Sequence, residues 1–427
     1  MNSGSDRLDH ALARAFMTAL LHQGLIVLAL LAVLGAAWVC LRAWAPAAPL
    51  LGRVRSALGP AVPAAPAAPA VLTPAEPTGR RLLRIGFGVL WLIDGILQAQ
   101  PNMPAGLPSQ VIEPTAGTSP PWVQHVVHWG QAAWVSHPVP AGSAVVWIQV
   151  GLGVWLLGAP RGTLSRLAGL ASVGWGLVVW VFGESFGGIF APGLTWLTGA
   201  PGAVLIYVAA GALIALPPRT WRSPRAGQLT LAGLGLFLAV MAGLQAQPSL
   251  GYWRGTSYGQ SGPLASMVQA MSRTPQPGFL SAWVAAFGSF DEAHGFAVNL
   301  FVVAALAVTG AAFLSGRPWL IRPALIGFTV LCLADWVLVE DLGFLGGLGT
   351  DPNSMIPFIL LASGGYLALT RPAPLAAEAE TEAMASAAAT PEAAARAVLA
   401  AGPFYPERRW CAPRTLLGGA AGSTFRS

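Results

Sequence analysis

Residues 84–101 read RIGFGVLWLIDGILQAQP, and residues 231–248 read LAGLGLFLAVMAGLQAQP. Both runs are apolar for most of their length, both carry paired glycines (Gly86 and Gly88; Gly233 and Gly235), and both close on the same five residues, Leu97-Gln98-Ala99-Gln100-Pro101 and Leu244-Gln245-Ala246-Gln247-Pro248. Further along, Arg161-x4-Arg166 recurs as Arg317-x4-Arg322, and Trp180-x3-Glu184 recurs as Trp336-x3-Glu340, with Gly187 or Gly343 close behind. Each Glu stands eighteen residues beyond the second Arg of its own pair. Constant spacing at polar positions marks an internal duplication, since two merely greasy helices would not keep it. The expected core is therefore two four-helix units, 82–217 and 228–370. An even number of spans sends both units into the membrane in the same direction, a parallel repeat about an axis along the membrane normal.

The composition agrees with a membrane. Of 427 residues, 55% are apolar and only 9% charged, at a mean hydropathy of +0.61, whereas a soluble domain carries roughly 25% charged residues. A spanning helix needs about 20 mainly apolar residues, and nine stretches qualify: near 20–41, 82–100, 143–159, 167–184, 201–217, 228–246, 296–315, 323–340 and 354–370. The expected fold is all-α and polytopic, with an N-terminal helix (1–44), a linker (45–81), the two units, and a tail (371–427). Prolines 60, 63, 66 and 69 among alanines predict an extended linker. The Ala- and Glu-rich tail lacks an apolar stripe and reads as disordered.

Every basic residue is Arg, so the net charge of +6 concerns orientation before any nucleic acid, and no nucleic-acid partner is expected. Nineteen of the 23 arginines follow the first, third, fifth, seventh or ninth span; Arg7, Arg14, Arg254 and Arg273 are the exceptions. Short Arg-rich loops stay cytoplasmic. The N-terminus is expected outside and the C-terminus inside a plasma (inner) membrane. Arg7 and Arg14 before an apolar core resemble a signal peptide. Cleavage would leave Arg80 and Arg81 on the wrong side of the next span, so a retained first helix is expected, with Met17 an alternative start.

Candidate chemistry gathers at the outer level. A helix rising ~1.5 Å per residue carries Glu184 ~27 Å beyond Arg166, and the same count applies to Glu340. Gln98, Gln100, Gln245 and Gln247 close outward-running helices at that level. Both glutamates precede Gly-rich stretches, 185–200 and 341–353, that lack Arg and are able to dip back as re-entrant loops. Either each Glu holds its loop through backbone N–H groups, or the pair binds a proton, cation or polar ligand. Asp94 lies one turn inward of Gln98; intramembrane acids usually face a cavity or partner. Its counterpart is Met241, while Asp335 aligns with Val179, so these acids differ between halves. Trp122, Val126, Trp129 and Ala133 at helical spacing predict an interfacial helix over 121–136. That helix holds His125 and His128, a weak metal-ligand pair beside the more ordinary interfacial reading. Met267, Met271 and His294 in the second long loop would suit copper if a metal were bound.

No nucleotide loop, G-x-S-x-G elbow, H-E-x-x-H pair or C-x-x-C-H haem motif occurs, so no cofactor and no catalytic residue is assigned. Cys40, Cys332 and Cys411 are too scattered for a disulfide framework.

The segment 84–101, with WVFGESFGGIF at 180–190 and LTGAPGAVLIY at 197–207, resembles segments of uncharacterised polytopic membrane proteins of high-GC bacteria. A four-helix unit opening on Arg-x-Gly-x-Gly is more distantly similar to the DoxX-like membrane proteins. That second resemblance implies an accessory subunit of quinone or thiol redox chemistry. The leading expectation is a membrane protein handling a small solute or ion in an external cavity between its two units, partnered by the lipid bilayer. The alternatives are the DoxX-like redox subunit and a non-catalytic scaffold of a membrane complex.

Overall fold

The computed structural model describes residues 3–44, 76–257, 259–345 and 347–371. The proline-spaced part of the linker and the tail, with Cys411, lie outside them. Twelve α-helices run in chain order among the described residues: α1 (Ser3–Trp44), α2 (Thr78–Gln98), α3 (Met103–Gly117, π-helical over Leu107–Ile112), α4 (Pro121–Ser136), α5 (Pro138–Gly158), α6 (Gly162–Phe182), α7 (Ala203–Ala215), α8 (Arg225–Gln245), α9 (Pro263–Ser272), α10 (Gly278–Leu314), α11 (Pro318–Leu338) and α12 (Met355–Thr370). Prolines open α4, α5, α9 and α11, where the missing N–H costs nothing and φ is already helical. Among the described residues the regular structure is helical except for an antiparallel ribbon of two residues per strand, Thr256–Ser257 (β1) with Gln260–Ser261 (β2), which the sequence does not announce.

Six helices, α1, α5, α6, α8, α10 and α11, are long and apolar enough to cross a membrane, and α2 with α3, bent by 91°, makes a seventh if the pair counts as one span. The expected spans at 201–217 and 354–370 are instead the shorter helices α7 and α12. Hydropathy alone merged apolar but non-helical flanks, such as Leu216-Pro217, with the helix proper. The side chains are distributed as lipid requires. On α11, Ile326 and Val330 face outward while Cys332 and Asp335 are buried, and on α8 Leu229 and Leu236 are exposed. This is a membrane-embedded helical protein.

Small residues set the packing. A Cβ on Gly153 of α5 would lie 2.7 Å from the Gly88 carbonyl of α2, and one on Gly310 of α10 would lie 2.9 Å from the Gly235 carbonyl of α8. Close backbone approach of this kind is how apolar helices associate without a hydrophobic drive between them. Helix α12 packs on both α2 and α8, with Gly364 against Gly79 and Gly365 against Gly227. The core is aromatic where the halves meet: Trp196 lies 4.9 Å, centre to centre, from Phe358, which stacks on Phe237 at 5.4 Å.

Helix α1 joins through its N-terminal half. Phe16 is fully buried next to Gly142, and Gln23 accepts a hydrogen bond from the Trp147 indole at 2.8 Å. Helix α10 is kinked at His294 (φ −131°). There the backbone of Gly255 presses on the Asp291 and Glu292 carbonyls and on Gly295, an approach only two glycines allow.

One end of the bundle collects Arg80, Arg84, Arg161, Arg166, Arg317 and Arg322, while Arg254 and Arg273 lie toward the other. Arg80 and Arg84 of α2 are buried and share Glu76, at 2.7 and 2.8 Å. Arg80 also donates to the carbonyls of Ile214 (3.0 Å) and Pro160 (3.0 Å) and to the Ser165 hydroxyl (2.7 Å), and Arg84 donates to the Leu156 carbonyl (2.7 Å). Guanidinium groups thus satisfy the free carbonyls at the ends of α5 and α7.

Candidate functional site

At the opposite end, α6 and α11 terminate in the same way. The Val179 carbonyl accepts the N–H groups of Gly183 (2.7 Å) and Glu184 (3.0 Å), and the Asp335 carbonyl accepts those of Val339 (2.8 Å) and Glu340 (3.0 Å). The chain then turns through left-handed residues, Ser185, Phe186 and Gly187 in one case and Asp341, Leu342 and Gly343 in the other. Glycine is required at the third place: a Cβ on Gly187 would fall 1.7 Å from the Pro201 carbonyl oxygen, and one on Gly343 would fall 2.5 Å from the Pro352 carbonyl carbon. The indoles of Trp180 and Trp336 donate to the Pro201 and Pro352 carbonyls at 2.9 and 2.8 Å.

These turns aim each carboxylate at the start of the following short helix. Glu184 accepts the Val204 N–H at 3.1 Å. Glu340 accepts the Ser354 N–H at 3.3 Å, the Ser354 hydroxyl at 2.6 Å and the Met355 N–H at 3.4 Å. Each therefore caps a helix whose first N–H groups have no internal partner. Both glutamates lie two residues beyond the end of their helix. Burial pushes Glu184 up to about 8 and Glu340 up to about 7, with Asp351 nearby raising both and the backbone donors opposing the shift. Asp351 is itself raised by burial, against bonds from Thr350 and the Asn353 N–H.

A cavity of about 670 Å³ opens beside these caps. Asp94 and Gln98 of α2, Gln149 of α5, Trp175 of α6 and Glu184 line it from one half of the chain; Met267, Met271, Asp335, Glu340 and Asp351 line it from the other. Leu107, Ile112 and Trp134 from α3 and α4 close one side, packed on a small apolar cluster around Met103, Val123 and Val127. No Arg and no His is among the lining residues. Asp94 is buried with the Tyr207 hydroxyl at 3.4 Å, and Tyr207 is held edge-on by Phe87 and Trp91. The side-chain oxygens of Gln98 and Gln149 and the indole nitrogens of Trp175 and Trp196 are buried and have no hydrogen-bond partner.

The sequence candidates divide. Glu184, Glu340, Asp94 and Gln98 reach the cavity together. Gln100 instead donates to the Leu97 and Gly349 carbonyls at 2.9 and 2.8 Å, tying the end of α2 to the second Gly-rich loop. Gln245 is fully buried and donates to Asn299 at 2.8 Å, holding α8 to α10, and Gln247 is exposed. Of the four glutamines expected at the cavity Gln98 alone lines it: Asn299 holds Gln245, the Gly349 carbonyl holds Gln100, and Gln247 is exposed. Asp335, Asp351 and Gln149 enter the site unlisted by any motif; only the asymmetric Asp335 gives a signal in the sequence. The helix over 121–136 is present as α4, with His125 and His128 exposed on it. Among the described residues no three His, Cys, Asp or Glu side chains are grouped to hold a metal ion. His294 faces the Phe290 carbonyl at 3.1 Å. No protein-family model, curated protein or solved structure matches this chain.

Proposed function

We propose that this is a multi-pass plasma-membrane protein that admits a small solute or ion from the external side into the cavity between two tandem four-helix units, 82–217 and 228–370. The observation that carries the reading is the cavity itself. Carboxylates from both halves converge on about 670 Å³ toward the end of the bundle away from the Arg80–Glu76–Arg84 cluster. Orientation follows from the positive-inside rule, which puts the Arg80–Glu76–Arg84 cluster on the cytoplasmic side. In that orientation the cluster lies at the inner end and the cavity toward the outer end, an arrangement suited to uptake from outside. The matched turns at Glu184 and Glu340 and the matched glycine contacts of α2–α5 and α8–α10 support the tandem-unit reading.

Purified protein in proteoliposomes, offered a labelled mixture of amines, amino acids, sugars and inorganic ions, should accumulate or release one class. Absence of any flux and of any bound solute would overturn the reading. One feature favours a second reading: the unpartnered Trp175 indole at the cavity wall would serve a carbonyl acceptor such as a quinone head group. A quinone absorbance band that survives purification would favour the DoxX-like redox subunit.

A further inference from the structure

We propose that the cavity takes an organic ammonium ion, a protonated amine or diamine with an apolar body; this rests on the solute-binding reading above. The sign of the charge comes first. Asp94, Glu184, Asp335, Glu340 and Asp351 line one space that no basic side chain enters. An anion there would meet repulsion in a poorly screened interior, whereas a cation favours the ionised form of these carboxyls and gains from each one that gives up its proton.

Hydrogen-bond accounting then separates an ammonium from other cations. Gln98 and Gln149 are 6% and 3% exposed, and their side-chain oxygens have no donor. Both residues line the cavity, and their orphan acceptors add to a set already rich in carboxylate oxygens. Apart from the unpartnered Trp175 and Trp196 indole N–H groups, which leave room for one acceptor, the glutamine and carboxylate oxygens call for a molecule that donates several hydrogen bonds. An alkylammonium group is that molecule, with three N–H donors on one centre. A bare metal ion would instead need its ligands drawn to one point. The acids here are spread around the space, and no three of them are grouped for an ion among the described residues. Between them stand Trp175, Met267 and Met271. Aromatic faces and thioethers accept the methylene body of an amine and attract its charge.

The test uses full-length protein in lipid nanodiscs at pH 8.5, with calorimetric titration of spermidine, phenethylamine, tetraethylammonium, calcium chloride, potassium chloride, glucose and glutamate. The expected result is saturable binding of spermidine or phenethylamine at least tenfold tighter than any other probe, including tetraethylammonium, which lacks N–H donors. Asp94→Asn keeps an oxygen for the Tyr207 hydroxyl, and Asp351→Asn keeps one of the two oxygens that accept from Thr350 and the Asn353 N–H, while each removes a charge. Each should weaken amine binding at least tenfold with the folded size-exclusion profile retained. Should Asp94→Asn prove poorly folded, Asp351→Asn in the loop carries the test alone. Amine affinity unchanged in Asp351→Asn would overturn the proposal. Binding of glucose, glutamate or an inorganic cation in preference to amines would overturn the amine and leave the solute-binding reading standing. No response to any probe would overturn both.

Discussion

The carboxylate of Glu184 accepts the backbone N–H of Val204 at 3.1 Å, joining the C-terminal end of α6 to the first turn of α7. Glu340 stands in the same relation to Ser354 and Met355 at the start of α12. Glutamine keeps one acceptor oxygen at the same reach and alanine keeps none. Glu184→Ala and Glu340→Ala should therefore each lower stability by about 1–3 kcal/mol, the cost of stranding buried donors. Glu→Gln at either site should stay near the parent. Yield and melting temperature in detergent make the comparison. Normal spermidine affinity in the double Gln variant would leave these residues as caps alone.

The same two carboxyls predict opposite pH trends for stability and for cation binding. Their folded values, about 8 for Glu184 and about 7 for Glu340, lie above the ordinary 4.5. A raised folded value means the native state holds a proton that the unfolded chain has released, so the stabilising contribution is complete below about 4.5 and is lost as pH rises through 7 to 8. Asp351, which adds to the shift on both, titrates in the same direction. Melting temperature of the ligand-free protein should fall between pH 5 and pH 9, and the double Gln variant should flatten the curve. Amine affinity should rise over that range, because binding needs the carboxylates charged. A melting temperature that climbs with pH in the parent would contradict the placement of both groups.

Gly187 and Gly174 offer a paired test of the turn. Gly187 is left-handed (φ +60°), and a Cβ there would overlap the Pro201 carbonyl; Gly174, inside α6, has nothing within 4 Å of the position a Cβ would take. Gly187→Ala should abolish or severely reduce folded yield, and Gly343→Ala should do so less completely. Gly174→Ala should be neutral or stabilising by up to about 1 kcal/mol, since alanine favours a helix interior. Equal yields of the Gly187 and Gly174 variants, scored by size-exclusion profile, would refute the close approach.

At the arginine-rich end, Glu76 is the shared partner of two buried guanidinium groups. Removing one member of a buried charge set leaves the others uncompensated, at a cost of about 3–5 kcal/mol. Glu76→Ala should therefore destabilise more than Arg81→Ala, whose side chain is exposed. Thermal unfolding of the two variants decides it.

The repeat of Trp-x3-Glu before glycine was legible in the sequence because it is local: helix end, left-handed turn and cap lie within a few residues of one another. The cavity was legible only in part. Gln98 and Gln245 occupy identical pentapeptides, yet one reaches the cavity and the other is bound by Asn299, 54 residues away in sequence. No window around either glutamine contains that difference. Asp351 and Gln149 sit in no motif, and only tertiary packing brings them beside Glu184. Each of the nine apolar stretches holds a helix, but hydropathy registers the apolar character of α7 and its flanks, whereas Pro201, Gly202 and Pro217 bound a helix shorter than the stretch.

The external position proposed for the cavity depends on the orientation of the chain in the membrane. Phe16 and Gln23 place the N-terminal half of α1 beside Gly142, Ser143 and Trp147 at the start of α5, far from Arg80, Arg84, Arg161 and Arg166. Helix α1 therefore begins at the cavity end and runs toward the arginine end, alongside α5. Inverting the protein would move the Arg-rich loops across the membrane together, against the bias that sets orientation. Alkaline phosphatase fused after residue 130 should be active and a fluorescent protein fused after residue 385 should fluoresce, with the reciprocal fusions silent. A retained first helix would let mass spectrometry of the membrane form recover the peptide between Arg7 and Arg14, and its loss would show cleavage. An active phosphatase at 385 would reverse the topology, turn the cavity toward the cytoplasm, and with it make any amine reach the site from inside the cell.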